Sequence, residues 1–161
     1  PPEPPKPASP APDEPKGAEK IVPVPEDLRQ KILAKVKDAQ EKKLTEELMA
    51  RTDDFLKAVQ KKDLKTIRGM LDRLSFGDPS DAQMTDLFPR LLGEKAEIQR
   101  WDFEDVQVRT RGLLGRASGL CQMTYWVRFP KGETKLSDQV IHWARKVEGW
   151  SITRAPRTGD K

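Results

Sequence analysis

The chain has 161 residues, room for one domain once an extension is set aside, and its 30 Lys and Arg against 26 Asp and Glu leave a formal net charge of +4. All of that excess lies in residues 97–161, where 12 basic side chains alternate with 8 acidic ones, a pattern that argues against a nucleic-acid footprint. A single cysteine, Cys121, excludes an internal disulfide, one Cys and one His together exclude the usual zinc spacings, and no apolar run is long enough to span a bilayer.

Residues 1–25 contain ten prolines among Lys, Glu, Ala and Ser, with Ile21, Val22 and Val24 as the large apolar residues. Such a stretch buries too little to offset chain entropy, so a disordered, semi-extended linker is expected. Because the chain starts at Pro1, removal of something upstream is expected. A Pro-rich spacer before a folded domain suits an exported bacterial protein, periplasmic or envelope-tethered; an interdomain linker of a larger chain is the alternative. A second disordered tail is expected at 157–161.

From Glu26 to Gln60 no Gly or Pro interrupts a run of helix formers. The apolar stripe of Leu28, Ile32, Val36 and Ala39 is nevertheless rotated from that of Leu44, Leu48, Phe55 and Val59, which predicts a break near 40–45 with Thr45 as N-cap. Residues 26–43 are then an accessory helix, and the compact domain runs over 44–156. Asp63 caps a second helix through Leu64, Ile67, Met70, Leu71 and Leu74, which stops before Gly77-Asp78-Pro79. Ser80 or Thr85 starts a third, made irregular by Pro89 and stopped by Gly93.

After Glu97 the period falls from 3.6 to 2. In 117–129 the odd positions are apolar or small and the even ones largely polar, the alternation of a half-buried strand. Turn signals at Thr110-Arg111-Gly112, Pro130-Lys131-Gly132-Glu133 and Val147-Glu148-Gly149 divide the region into four strands, near 98–109, 113–129, 134–146 and 150–155. Three-residue loops at the first and third turns and a four-residue loop at the second set Arg109 opposite Leu113, Phe129 opposite Thr134 and Lys146 opposite Trp150. The class is α+β: helices on a curved antiparallel meander.

These rungs assign a core face of Trp101, Phe103, Cys121, Met123, Val140 and Trp150, continued by Val127, Leu136, Ala144 and Ile152. Glu97, Asp105, Tyr125, Asp138 and His142 are its polar members. The outer face receives Leu120, Trp126, Arg128, Ile141, Trp143 and Arg145, among Gln122, Thr124 and Gln139. Two apolar faces in so small a domain imply a cover for the outer one. A protein interface rich in aromatics and arginine, or the 26–40 helix of the same chain, would supply it.

Helices followed by a curved meander ending in a Gly-Trp-x-Ile hairpin resemble the nuclear transport factor 2-like superfamily, also called the SnoaL-like or cystatin-like cone fold. The parts that carry the resemblance are FLKAVQKKDLKTIRGML (55–71), the strand at 113–129 and HWARKVEGWSITR (142–154), and it covers about 45–155. The resemblance implies a sheet wrapped on a helix into a cone with a pocket at its open end, and an outer face that serves as a dimer interface. Some members are isomerases or dehydratases with Asp, Tyr or His in the cone; others bind or scaffold without catalysis.

On this basis the pocket would be lined by Trp101, Phe103, Cys121, Met123, Tyr125, Val140, His142 and Trp150. Within it a Tyr125–Asp138 rung beside Glu97 would suit proton abstraction next to a carbonyl, with Asp105 or His142 assisting. The plainer reading is a hydrogen-bonded pair at a wet rim. Likewise His142 opposite Cys121 is either a nucleophilic pair or a small buried thiol beside a core histidine. The reading is a non-enzymatic ligand-binding or scaffold module without cofactor, taking a small apolar ligand or forming a homodimer through its outer face; an isomerase or dehydratase is the alternative.

Overall fold

The computed structural model describes residues 25–93, 95–110, 116–146 and 149–154. The expected linker before Pro25, the tail after Arg154 and most of the first turn lie outside them. Six helices precede four strands: α1 Pro25–Ala34, α2 Ala39–Gln60, α3 Leu64–Met70, α4 Arg73–Phe76, α5 Asp81–Leu87 and α6 Pro89–Leu92, then β1 Glu97–Thr110, β2 Ala117–Phe129, β3 Gly132–Lys146 and β4 Gly149–Arg154. The strands form one antiparallel sheet in the order β1-β2-β3-β4. The chain is an α+β protein, as its change of period predicts.

The break in the long helical run falls earlier than Thr45. Asp38 is the N-cap of α2 and accepts from the Glu41 amide at 2.9 Å, whereas the Thr45 hydroxyl donates back to the Glu41 carbonyl at 2.7 Å inside the helix. An aspartate outcompetes a threonine that is already satisfied within the turn. The expected accessory helix over 26–43 is therefore two pieces, and α1 belongs to the core: Ile32 is buried, and Arg29 grips Asp53 of α2 through two hydrogen bonds of 2.6 and 2.9 Å. Asp53 also accepts from Trp101 Nε1 at 2.9 Å, and the Arg29 guanidinium lies 4.8 Å from the Phe103 ring centre, so one carboxylate ties α1, α2 and β1.

Asp63 and Ser80 cap α3 and α5 as expected, Ser80 in a capping box with Gln83. The expected single helix to Leu74 is interrupted at Leu71, which forms a parallel bridge with Ile152 of β4. Asp72 then donates its amide to the Ile152 carbonyl at 2.8 Å and caps α4 with its side chain. Pairing the exposed edge of β4 wins over continuing the helix. Leu74 in consequence points to solvent, 89% exposed.

α2 lies on one face of the sheet with Leu48, Phe55, Leu56 and Val59 buried, and there it meets Phe103, Cys121, Met123, Tyr125, Val127, Leu136, Trp150 and Ile152. These eight sheet residues face the helices, as the alternation predicts. Gly119 is required for that approach, since a Cβ there would stand 2.5 Å from Leu48 and 3.1 Å from the Trp150 ring.

The second half of β3 reverses the predicted facing. Phe129 pairs with Gly132, not Thr134, because the turn is the two-residue Pro130-Lys131 with Gly132 at φ 133°. At Asp138, φ 57°, the register shifts by one, so that Met123 pairs with Gln139 and Cys121 with Ile141. This β-bulge inverts every later side chain of the strand. Ile141, Trp143 and Arg145 turn inward; Val140, His142 and Ala144 turn outward. Trp143 is 1% exposed and meets the Phe55 ring edge-on with centroids 6.3 Å apart. Expecting it on the outer face is thus corrected, as is expecting Val140, His142 and Ala144 in the core. A second irregularity between Phe103 and Asp105 moves Asp105 to the outer face beside Gln122. At the last turn Lys146 pairs with Gly149, φ 118°, and Arg145 with Trp150.

Candidate functional site

With the register settled, Tyr125 sits between Trp101 on β1 and Leu136 on β3. It is fully buried, its hydroxyl has no hydrogen-bond partner, and burial pushes its pKa far above that of a free phenol. The expected Tyr125–Asp138 rung does not form. Asp138 is exposed on the bulge, where it accepts from Gln122 Nε2 at 2.9 Å, and Glu97 is paired with Arg128 three rungs from the phenol's own partner. Proton abstraction by this trio has no geometric basis.

Nor does His142 face Cys121. The thiol instead lies 3.4 Å from Thr52 Oγ1, whose own proton goes to the Leu48 carbonyl at 2.8 Å, so the sulfur is the donor. Burial raises its pKa to about 12, and a thiol held neutral is not a nucleophile. Phe103, Cys121, Met123, Tyr125 and Trp150 are packed against α2; Trp101, half-buried, is anchored by Asp53. The residues assigned to a pocket are therefore core, with Val140 and His142 on the opposite side of the sheet.

One accessible concavity is on that opposite side. A groove of about 500 Å³ crosses all four strands over Gly119 and Trp143, lined by Gln107, Arg109, Ser118, Leu120, His142 and Thr153 with Ala144. None of these is acidic. His142 is half-buried; desolvation first, then the neighbouring Arg154 guanidinium, lowers its pKa below that of free imidazole. Its cross-strand neighbours are Leu120 and Arg154.

Farther along the same face the charges change sign. Asp105 receives Gln107 Nε2 at 3.1 Å and pairs with Lys35 at 3.4 Å, while Glu104 accepts the Thr124 hydroxyl and the Asp138 amide. Asp102 is buried, and desolvation raises its pKa against the pull of Arg100, 3.8 Å away. Beyond it Arg100 lies 3.7 Å above the Trp126 ring, with Lys135 at 5.6 Å on the next strand. Leu120, Trp126 and Arg128 thus occupy the outer face as predicted, whereas Ile141 and Trp143 do not, and Arg145 reaches Glu47 of α2 at 3.0 Å.

Sequence reasoning missed Gln107, Arg109, Ser118 and Thr153 as groove residues. The signal was present: these are the polar positions of adjacent strands, and only the rung assignment separated them. Among the described residues no group of three or more His, Cys, Asp or Glu side chains could hold a metal ion, and no helix is long and apolar enough to cross a membrane. No family model matches the chain, and no curated protein matches it.

Proposed function

We propose that this α+β domain is a non-enzymatic protein-interaction module of the nuclear transport factor 2-like type, working through the outer face of its sheet. The observation that carries this reading is the groove across the four strands, bounded by half-buried Leu120 and His142, whose lining holds no helix residue. The core side chains once assigned to a ligand pocket are enclosed against α2, so a ligand among them would have to displace close-packed groups. Acid–base catalysis has less support, because Tyr125 is separated by the sheet from Asp105, Asp138 and His142.

A mass measurement by light scattering tests the reading in its homodimeric form. The wild type should show about twice the chain mass of 18.3 kDa, and Leu120→Glu, which places a charge at the centre of the face, should return it to one chain mass while keeping the circular dichroism of the wild type. A dimer unaffected by Leu120→Glu would contradict the outer face as its interface.

A further inference from the structure

The groove across the four strands is built on two rungs of the outer face. Gln107, Leu120, His142 and Arg154 are successive partners on one, and Arg109, Ser118 and Ala144 on the next. Cations therefore stand at both ends of the trough, Arg109 on β1 and His142 with Arg154 on β3 and β4. Its lining holds no acid, and among the described residues neither Arg109 nor Arg154 has an anionic partner. The carboxylate one rung farther along, Asp105, is paired with Lys35. Other cations of the face are already engaged: Arg100 and Lys135 lie over the Trp126 ring, and Arg128 is flanked in register by Glu97 and Glu133. Between the two cationic ends the floor is made of Ser118, Gly119 and Ala144, small enough to admit a peptide backbone.

The geometry points to an extended acidic peptide of a partner protein as the occupant of this groove, crossing the strands with one carboxylate at Arg109 and another at His142 and Arg154. This rests on the outer-face reading above and names the partner's chemistry. Adjacent strands lie about 4.8 Å apart, so β1 and β4 are separated by roughly 14 Å, the reach of about five extended residues. Acids about four positions apart, with small residues between them, match that span. Ser118 and Gln107 offer side-chain hydrogen bonds to the peptide's backbone. A flat anionic membrane or a long nucleic acid suits the face less well. Either would extend beyond the two rungs and meet Glu104, Asp105 and Asp138, where like charge repels it. Trp143, the indole of the lining, is 1% exposed, so bases find no indole to stack on.

The experiment titrates dye-labelled chain, dilute enough to show one chain mass by light scattering, with the peptide Glu-Ala-Gly-Ala-Glu blocked at both ends, read by thermophoresis at low salt. The acidic peptide should bind, and its counterpart with Gln in place of both Glu should bind at least about tenfold more weakly. Arg109→Glu and Arg154→Glu, both at exposed positions, should each weaken binding by about tenfold or more while keeping the wild-type circular dichroism. The milder Arg109→Gln and Arg154→Gln should weaken it by a smaller factor. Lys57→Glu, the same charge change at an exposed position of α2, should leave binding within about twofold of the wild type. No binding of the acidic peptide, or an equal loss in all three Glu variants, overturns the assignment of an acidic partner; the outer-face reading would still be judged separately, by the mass of Leu120→Glu. Binding of phosphatidylserine vesicles or single-stranded DNA without binding of the peptide, lost in the same arginine variants, overturns it in favour of that polyanion.

Discussion

Tyr125 is the residue at which a catalytic and a structural role part most clearly. A buried hydroxyl without a partner forfeits its hydration and gains nothing in return. Tyr125→Phe should therefore leave the fold intact and raise stability by up to about 1 kcal/mol in urea denaturation, whereas a phenol engaged in function or in an unseen hydrogen bond would make the change destabilising. Cys121 follows the same logic, since its neutral thiol is already satisfied by Thr52 and has no imidazole to activate it. Both residues were placed on the core face by sequence alternation alone. Their chemistry was not legible there, because it depends on which residue of β3 lies opposite, and that is a property of the turn and the bulge.

At the scale of elements, β3 decides the surface of the molecule. Its first half follows the alternation, with Leu136 inward as expected; its second half is inverted by the extra residue at Asp138. A hint existed in Ser137-Asp138, since Asp tolerates the left-handed region better than most residues, but Ser and Asp at the solvent edge of a strand are equally ordinary. The turns before and after were each shorter than their glycine spacing suggested, and an error of two residues preserves facing while an error of one reverses it. That is why Leu136 was placed correctly and Trp143 was not. Deleting Asp138 should restore simple alternation and drive Ile141 and Trp143 into solvent, abolishing the cooperative melt seen by circular dichroism. Asp138→Gly should shift stability by no more than about 1 kcal/mol, because glycine accepts the positive φ. A deletion variant that melts like the wild type would show that the bulge does not set the facing of β3.

For the whole molecule, helices pack on one side of a four-stranded sheet, and the other side carries a groove that crosses all four strands, lined by Gln107, Arg109, Ser118, Leu120, His142 and Thr153. The chain has one histidine, His142 on β3, with Arg154 opposite it on β4 and Arg109 two strands away on β1. Burial first, then Arg154, holds its pKa below that of free imidazole. Association over the groove would change the water and charge around the imidazole, so its pKa should move on binding, and by linkage binding should depend on pH through the histidine's titration range.

A proton NMR titration of that single imidazole, run at protein concentrations well below and well above the dimer dissociation constant, reads this contact directly. The account predicts different midpoints in the concentrated and dilute samples, and loss of the difference in Leu120→Glu. An identical midpoint at both concentrations would contradict it.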